Sequence, residues 1–224
     1  MDSLIQDIFN DQGWTAYLFV LTAIIGILRF KKFKSFPIRC FIIYFAYFAF
    51  NDFLSLAYGR RWSPNGYNSI LYNISYIITF ATLLYVFYVY IENKLFRYFI
   101  KLMTVLYVLL VGMDLWILKI DYFAGYQIWP YIVGGATIIV CTLFYFYETM
   151  NSEKLIALER QLIFWIAIGY FFYFLAKVPS VINKNIYVVD SNSQYLSTIN
   201  NIMTTVLCIS LIIGFIWSHP QDQS

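Results

Sequence analysis

The sequence predicts an all-α fold: a polytopic integral membrane helical bundle of seven transmembrane helices, N-terminus outside and C-terminus cytoplasmic. Three observations carry this. The 224 residues are 61% hydrophobic and 12% charged, about half the charge of an ordinary soluble domain. The chain divides into seven apolar segments of roughly 20 residues, the length that crosses about 30 Å of hydrocarbon. The basic residues then crowd the loops on one side of those segments.

The spans are read at residues 14–30, 37–58, 68–91, 97–118, 127–147, 160–182 and 197–217. The first is expected to extend back through residues 4–9. Pro37 and Pro130 open their spans at first-turn positions, where a missing N–H leaves no helical bond unmade. The last span ends at His219-Pro220. The connections are short and polar, so residues 1–224 read as a single seven-helix domain with no room for a soluble catalytic or DNA-binding unit. A closed barrel would show alternating apolar residues over about ten positions; these segments are apolar all round. Spans one to three share no motif with spans five to seven. Residues 1–13 carry Asp2, Asp7 and Asp11 and no basic run, so no cleavable signal peptide is expected. Cys40, Cys141 and Cys208 fall inside spans, and no disulfide is expected.

Orientation follows the positive-inside bias. Arg29, Lys31, Lys32, Lys34, Arg39, Lys94, Arg97, Lys101, Lys154 and Arg160 lie on one side, against Arg60, Arg61, Lys119, Lys177 and Lys184 on the other. The richer side is cytoplasmic, and the chain reads as a multi-pass protein of the cell membrane. Trp14, Trp62, Trp116, Trp129 and Trp217 sit near span ends, as an interfacial belt requires.

Polar groups within the spans are the candidate site. At 1.5 Å per residue, Asp52 lies about 6 Å outward of the centre of its span, and Asn73, Asp114, Lys177 and Asn201 about 9 Å outward of theirs. A charge facing lipid at the bilayer centre costs at least about 2.5–3.5 kcal/mol, so such groups turn inward and pair. Helical spacing gives several spans a polar stripe: Tyr72, Ser75, Thr79 and Thr82 with Tyr76 beside them; Thr104, Tyr107, Val111 and Asp114; Tyr170, Tyr173 and Lys177; Asn201, Thr204, Thr205 and Cys208. The expected ligand-binding residues are Asp52, Asn73, Asp114, Lys177, Asn201, Tyr72, Tyr76 and Tyr173. Plainer roles are open for each. Lys177 can snorkel to the surface, Asp114 can sit at the headgroups, the asparagines can tie helices together, and Asp52 or Asp114 can pair with Lys177 without any ligand.

Catalytic chemistry is poorly supplied. The sole histidine is His219, which removes histidine-based catalysis and multi-histidine metal sites. There is no G-x-S-x-G and no phosphate-binding glycine loop. Asp52 in FNDF and Asp114 in GMDL do not match the YD and GxGD motifs of presenilin-like proteases. The seventh span has no lysine for a retinal Schiff base. No enzyme, cofactor, metal or nucleic-acid partner is expected.

Tyr72-Asn73-Ile74, Phe164-Trp165-Ile166 with Gly169 and Tyr173, and Asn200-Asn201 followed by Ile213-Gly214-Phe215 resemble patches in small seven-helix membrane proteins of bacteria with AT-rich genomes. That resemblance implies a bare sensor- or receptor-like bundle working with a separate kinase. By topology the chain also resembles the membrane part of bacterial seven-span receptors, but no intracellular signalling module is present in it. Three functions share this pattern. A sensor would bind a small polar ligand in an outward-facing pocket within the bundle and signal through a partner protein. A small-solute transporter or channel would need the polar stripes to continue inward, where residues 85–90 and 144–147 look like a plug. A structural subunit of a membrane complex would use its amides for assembly.

Overall fold

The computed structural model describes residues 13–61, 68–117, 125–151, 159–183 and 193–219. The expected lead-in at residues 4–9, Trp62, and the basic residues Lys119, Lys154 and Lys184 lie outside them. The described residues are helical, with no strand among them. The seven helices are α1 (Gly13–Leu28), α2 (Phe36–Arg61), α3 (Ser69–Tyr90), α4 (Lys94–Trp116), α5 (Ile128–Met150), α6 (Leu162–Ile182) and α7 (Ser193–Trp217). A 3-10 turn, Phe30–Lys32, follows α1. Helices α2 to α7 are each long and apolar enough to cross a membrane, so the chain is a multi-pass membrane protein. Helix α1 is apolar over its 16 described residues, about 24 Å of rise.

Six helices close a ring in which each touches the next: α1, α2, α3, α5, α6, α7 and back to α1. Helix α4 packs outside the ring, in the groove between α3 and α5. Its buried residues are Ile100, Tyr107 and Asp114. They recur every seven residues and form one narrow stripe, which suits a helix seated on a single side with lipid around the rest. The ring core is aromatic and aliphatic, with Phe41, Phe80, Phe87, Leu83, Ile138, Ile166, Tyr170 and Phe215 all fully buried. Trp14, Trp116, Trp129 and Trp217 are exposed at helix ends, the belt positions anticipated for them. The three cysteines are free.

Orphan helix ends are satisfied at the end of the bundle where α1 finishes. Asn93 caps α4 by accepting the Leu95 N–H at 2.9 Å. This is why the helix starts at Lys94, ahead of the apolar stretch at residue 97. Both carboxylate oxygens of Glu148, on α5, accept the Glu92 N–H at 2.9 and 3.1 Å, and Oε1 also takes the Asn93 N–H. A carboxylate at a helix start is favoured by the dipole, and it pins the peripheral helix to the ring. Lys32 donates to the Phe215 and Ile216 carbonyls at 3.3 and 2.9 Å, capping α7. Burial, and then the neighbouring Arg29, hold the Lys32 ammonium below the usual lysine pKa.

Helices α6 and α7 approach each other closely at Gly214. A Cβ on Gly214 would lie 2.7 Å from both Leu162 Cδ1 and Trp165 Cβ. The second of these adjoins the backbone and cannot swing aside. On the exposed side of α4, a Cβ on Gly112 would meet nothing nearer than the Trp116 ring at 3.7 Å. Gly214→Ala is therefore expected to destabilise by about 1–3 kcal/mol through overpacking. Gly112→Ala should be neutral or stabilise by up to about 1 kcal/mol through helix propensity. Thermal unfolding of the two variants in detergent checks the contrast; equal effects would contradict the packing.

Candidate functional site

At the other end of the ring, where α2 finishes and α3 begins, apolar helices bring polar side chains inward. Asp52 lies two turns beyond Tyr44 on α2, so the two share a face. On α3, Tyr72 and Tyr76 are one turn apart. On α6, Tyr170, Tyr173 and Lys177 follow at intervals of one turn.

These faces meet. The Tyr72 hydroxyl hydrogen-bonds the Asp52 carboxylate, and the Lys177 ammonium attracts the same carboxylate from α6. Lys177 Nζ also lies 5.7 Å from the centre of the Tyr173 ring, a cation–π distance. Tyr76 and Tyr173 both feel the Asp52 charge. Thus Asp52, Tyr72, Tyr76, Tyr173 and Lys177, five of the expected residues, come together from three helices. Lys177 is half-buried, with the Asp52 charge near enough to draw its ammonium toward the bundle.

Hydroxyls continue from this cluster toward the middle of the bundle. The Tyr76 and Tyr131 rings lie 4.6 Å apart, and the Tyr131 and Tyr173 hydroxyls are hydrogen-bonded to each other. Deeper still, Tyr170 and Tyr44 pair at 3.2 Å, Tyr44 donates to Thr79 Oγ1 at 3.1 Å, and Thr79 donates to the Ser75 carbonyl at 2.7 Å. With the Tyr44 proton directed to Thr79, Tyr170 is the donor to Tyr44. Beneath this chain lie Phe41, Leu83, Phe87 and Ile166, each fully buried. The polar column therefore stops on an apolar floor. Of residues 144–147, Tyr145 is buried in the core, whereas Phe144 stacks on Phe96 of α4 at 4.0 Å and Tyr147 is exposed.

The other three expected residues lie elsewhere. Asn73 faces α5, donating to the Gly125 carbonyl at 2.8 Å and accepting the Gln127 N–H at 3.1 Å; it ties helices, the plainer role. Asp114 is buried on the α4 stripe, outside the ring, and it does not reach the Asp52 cluster because its helix does not line the interior. Asn201 is half-buried, and its carbonyl accepts the Thr205 hydroxyl at 2.8 Å. Its neighbour Asn200 makes the interhelical bond instead, to Ser180 Oγ at 2.7 Å. Further amide ties close this end: Asn51 to the Leu71 carbonyl, Asn68 to the Ser55 carbonyl, and Tyr126 to Asn68. Tyr44 and Tyr131 belong to the column and were not anticipated. The eight-residue spacing from Tyr44 to Asp52 was the available signal for the first.

Opposite charges in a low-dielectric site depend on each other, and losing one partner costs more than losing both. Lys177→Met is expected to destabilise by about 1–3 kcal/mol. Adding Asp52→Asn should recover part of that, with a coupling of about 1 kcal/mol or more. Unfolding of the two single variants and the double variant measures the coupling; strict additivity would exclude the pair.

No family model matches the chain, and a search of curated proteins and of solved structures likewise finds no match.

Proposed function

We propose that the chain is a seven-helix sensor of the cell membrane that binds a small polar ligand at the Asp52–Lys177 cluster. In this reading the N-terminus is outside, the cluster opens to the exterior, and the C-terminus is cytoplasmic. The observation that carries it is the meeting of Asp52 from α2, Tyr72 from α3 and Lys177 from α6 at one end of the ring, above an apolar floor. A ligand that bridges carboxylate and ammonium changes how α2 and α6 are held, and such a differential contact is what shifts a conformational equilibrium. The basic loop of Lys31, Lys32 and Lys34 then presents the change to a separate signalling protein such as a kinase.

With Asp114 placed elsewhere, the cluster has one acid and one lysine. The pair is balanced in charge and surrounded by phenolic hydroxyls and ring faces. That combination suits a zwitterion or a hydroxyl-rich neutral molecule. A transporter draws support from the hydroxyl column reaching Tyr44 and Thr79, but the floor of Phe41, Leu83, Phe87 and Ile166 opposes passage. A purely structural subunit fits less well, since Asn51, Asn68 and Asn73 make their hydrogen bonds within the chain.

The test is a thermal-shift screen of the chain in nanodiscs against amino acids, polyols and sugars. At least one class should raise the unfolding midpoint of the native chain and leave the Asp52→Asn, Lys177→Met double variant unmoved. Equal shifts in both proteins, or none in the native chain, would count against the site. Uptake of the same compounds into proteoliposomes would favour the transporter instead.

A further inference from the structure

A second polar cluster lies between α3, α4 and α5, away from the Asp52 cluster. Helices α4 and α5 run antiparallel, with Phe96 stacked on Phe144 at 4.0 Å near one end. About five turns along each helix from that stack, α4 reaches Asp114 and α5 reaches Gln127. Helix α3 has the same register. Phe80 packs on Tyr107 at 5.2 Å, and about two turns outward these helices reach Asn73 and Asp114. The Gln127 N–H bond to Asn73 Oδ1, at 3.1 Å, fixes α3 and α5 at this level.

The polar groups that this register puts near one level are buried. Asp114 is 2% exposed, Gln127 1%, and Ser69, one turn beyond Asn73, is 0% exposed. Asp114 Oδ2, both side-chain polar atoms of Gln127 and Ser69 Oγ have no hydrogen-bond partner. No described basic side chain pairs with Asp114. Buried polar groups are normally satisfied, and a carboxylate oxygen inside a membrane bundle is among the costliest to leave without a partner.

We propose that Asp114, Gln127 and Ser69 bind one sodium-sized monovalent cation between α3, α4 and α5. Carboxylate, amide and hydroxyl oxygens are donors for hard cations, whereas soft or borderline metals select sulfur and imidazole. A single carboxylate neutralises one positive charge; a divalent ion would leave an excess charge in hydrocarbon. Bound there, the cation would hold the peripheral helix α4 against the ring. This proposal does not depend on the ligand reading of Asp52 and Lys177.

The test is the unfolding midpoint of the full chain in nanodiscs, at matched ionic strength, in sodium chloride and in N-methylglucamine chloride. Sodium should raise the midpoint by about 2–4 °C, saturating with concentration. Asp114→Asn should abolish the sodium dependence, Gln127→Leu should weaken it, and Asp52→Asn should preserve it. Equal midpoints in the two salts would overturn the proposal, as would an undiminished sodium shift in Asp114→Asn. If Asp114→Asn does not fold, radiolabelled sodium binding to the native chain and to Gln127→Leu decides: saturable binding weakened by the substitution supports the site, and its absence or indifference to the substitution refutes it.

Discussion

Hydrocarbon supplies no hydrogen bonds, so a polar side chain within a membrane bundle must find its partner in the protein. That constraint governs how α2, α3 and α6 face one another. Asp52 is a short, half-buried side chain near the end of the apolar stretch of α2. Its carboxylate is met by the Tyr72 hydroxyl and the Lys177 charge, and each of these fixes the rotation of its own helix. Once α6 turns Lys177 inward, Tyr173 and Tyr170 turn inward with it, because they share its face. The chain from Tyr170 through Tyr44 to Thr79 then ties the same three helices again at mid-depth.

The two ends of the ring are built differently. At the end holding Asp52, side chains bond across helices, largely through asparagine amides. At the opposite end charged side chains cap backbone, with Glu148 on the start of α4 and Lys32 on the finish of α7. Between them sits the apolar floor. A polar cluster above such a floor can respond to something that enters from one side only. Helix α4 is held by one stripe and by the Glu148 cap, which makes it the helix with the fewest ties to the ring.

The seven helices were legible because apolarity over about 20 residues, with polar breaks between, has one physical solution in a membrane. That Lys177 needs an acid partner was legible for a related reason, since charges at one depth must meet or be lost to lipid, but Asp52 and Asp114 were equally open as that partner. What depth could not give was position around the bundle. Asp114 and Asn73 lie at the same level as Lys177, yet one sits on a helix outside the ring and the other points at α5. A sequence fixes height along each helix but not which helices are neighbours, since every span here is apolar on its lipid side and its core side alike. Tyrosine hid the rest. It serves in belts and in cores, so Tyr131 carried no distinguishing mark and Tyr44 only its eight-residue spacing from Asp52.

The central claim is that Asp52 of α2 and Lys177 of α6 face each other inside the bundle. Solid-state NMR on the chain in lipid bilayers, with labels on the lysine Nζ and the aspartate carboxyl carbon, reads that separation through their dipolar coupling. Assignment follows from loss of the signal in Lys177→Met. A measured separation within about 4–6 Å, the range over which opposite charges hold one another, is the predicted result. No coupling between these sites in the folded chain would contradict the account.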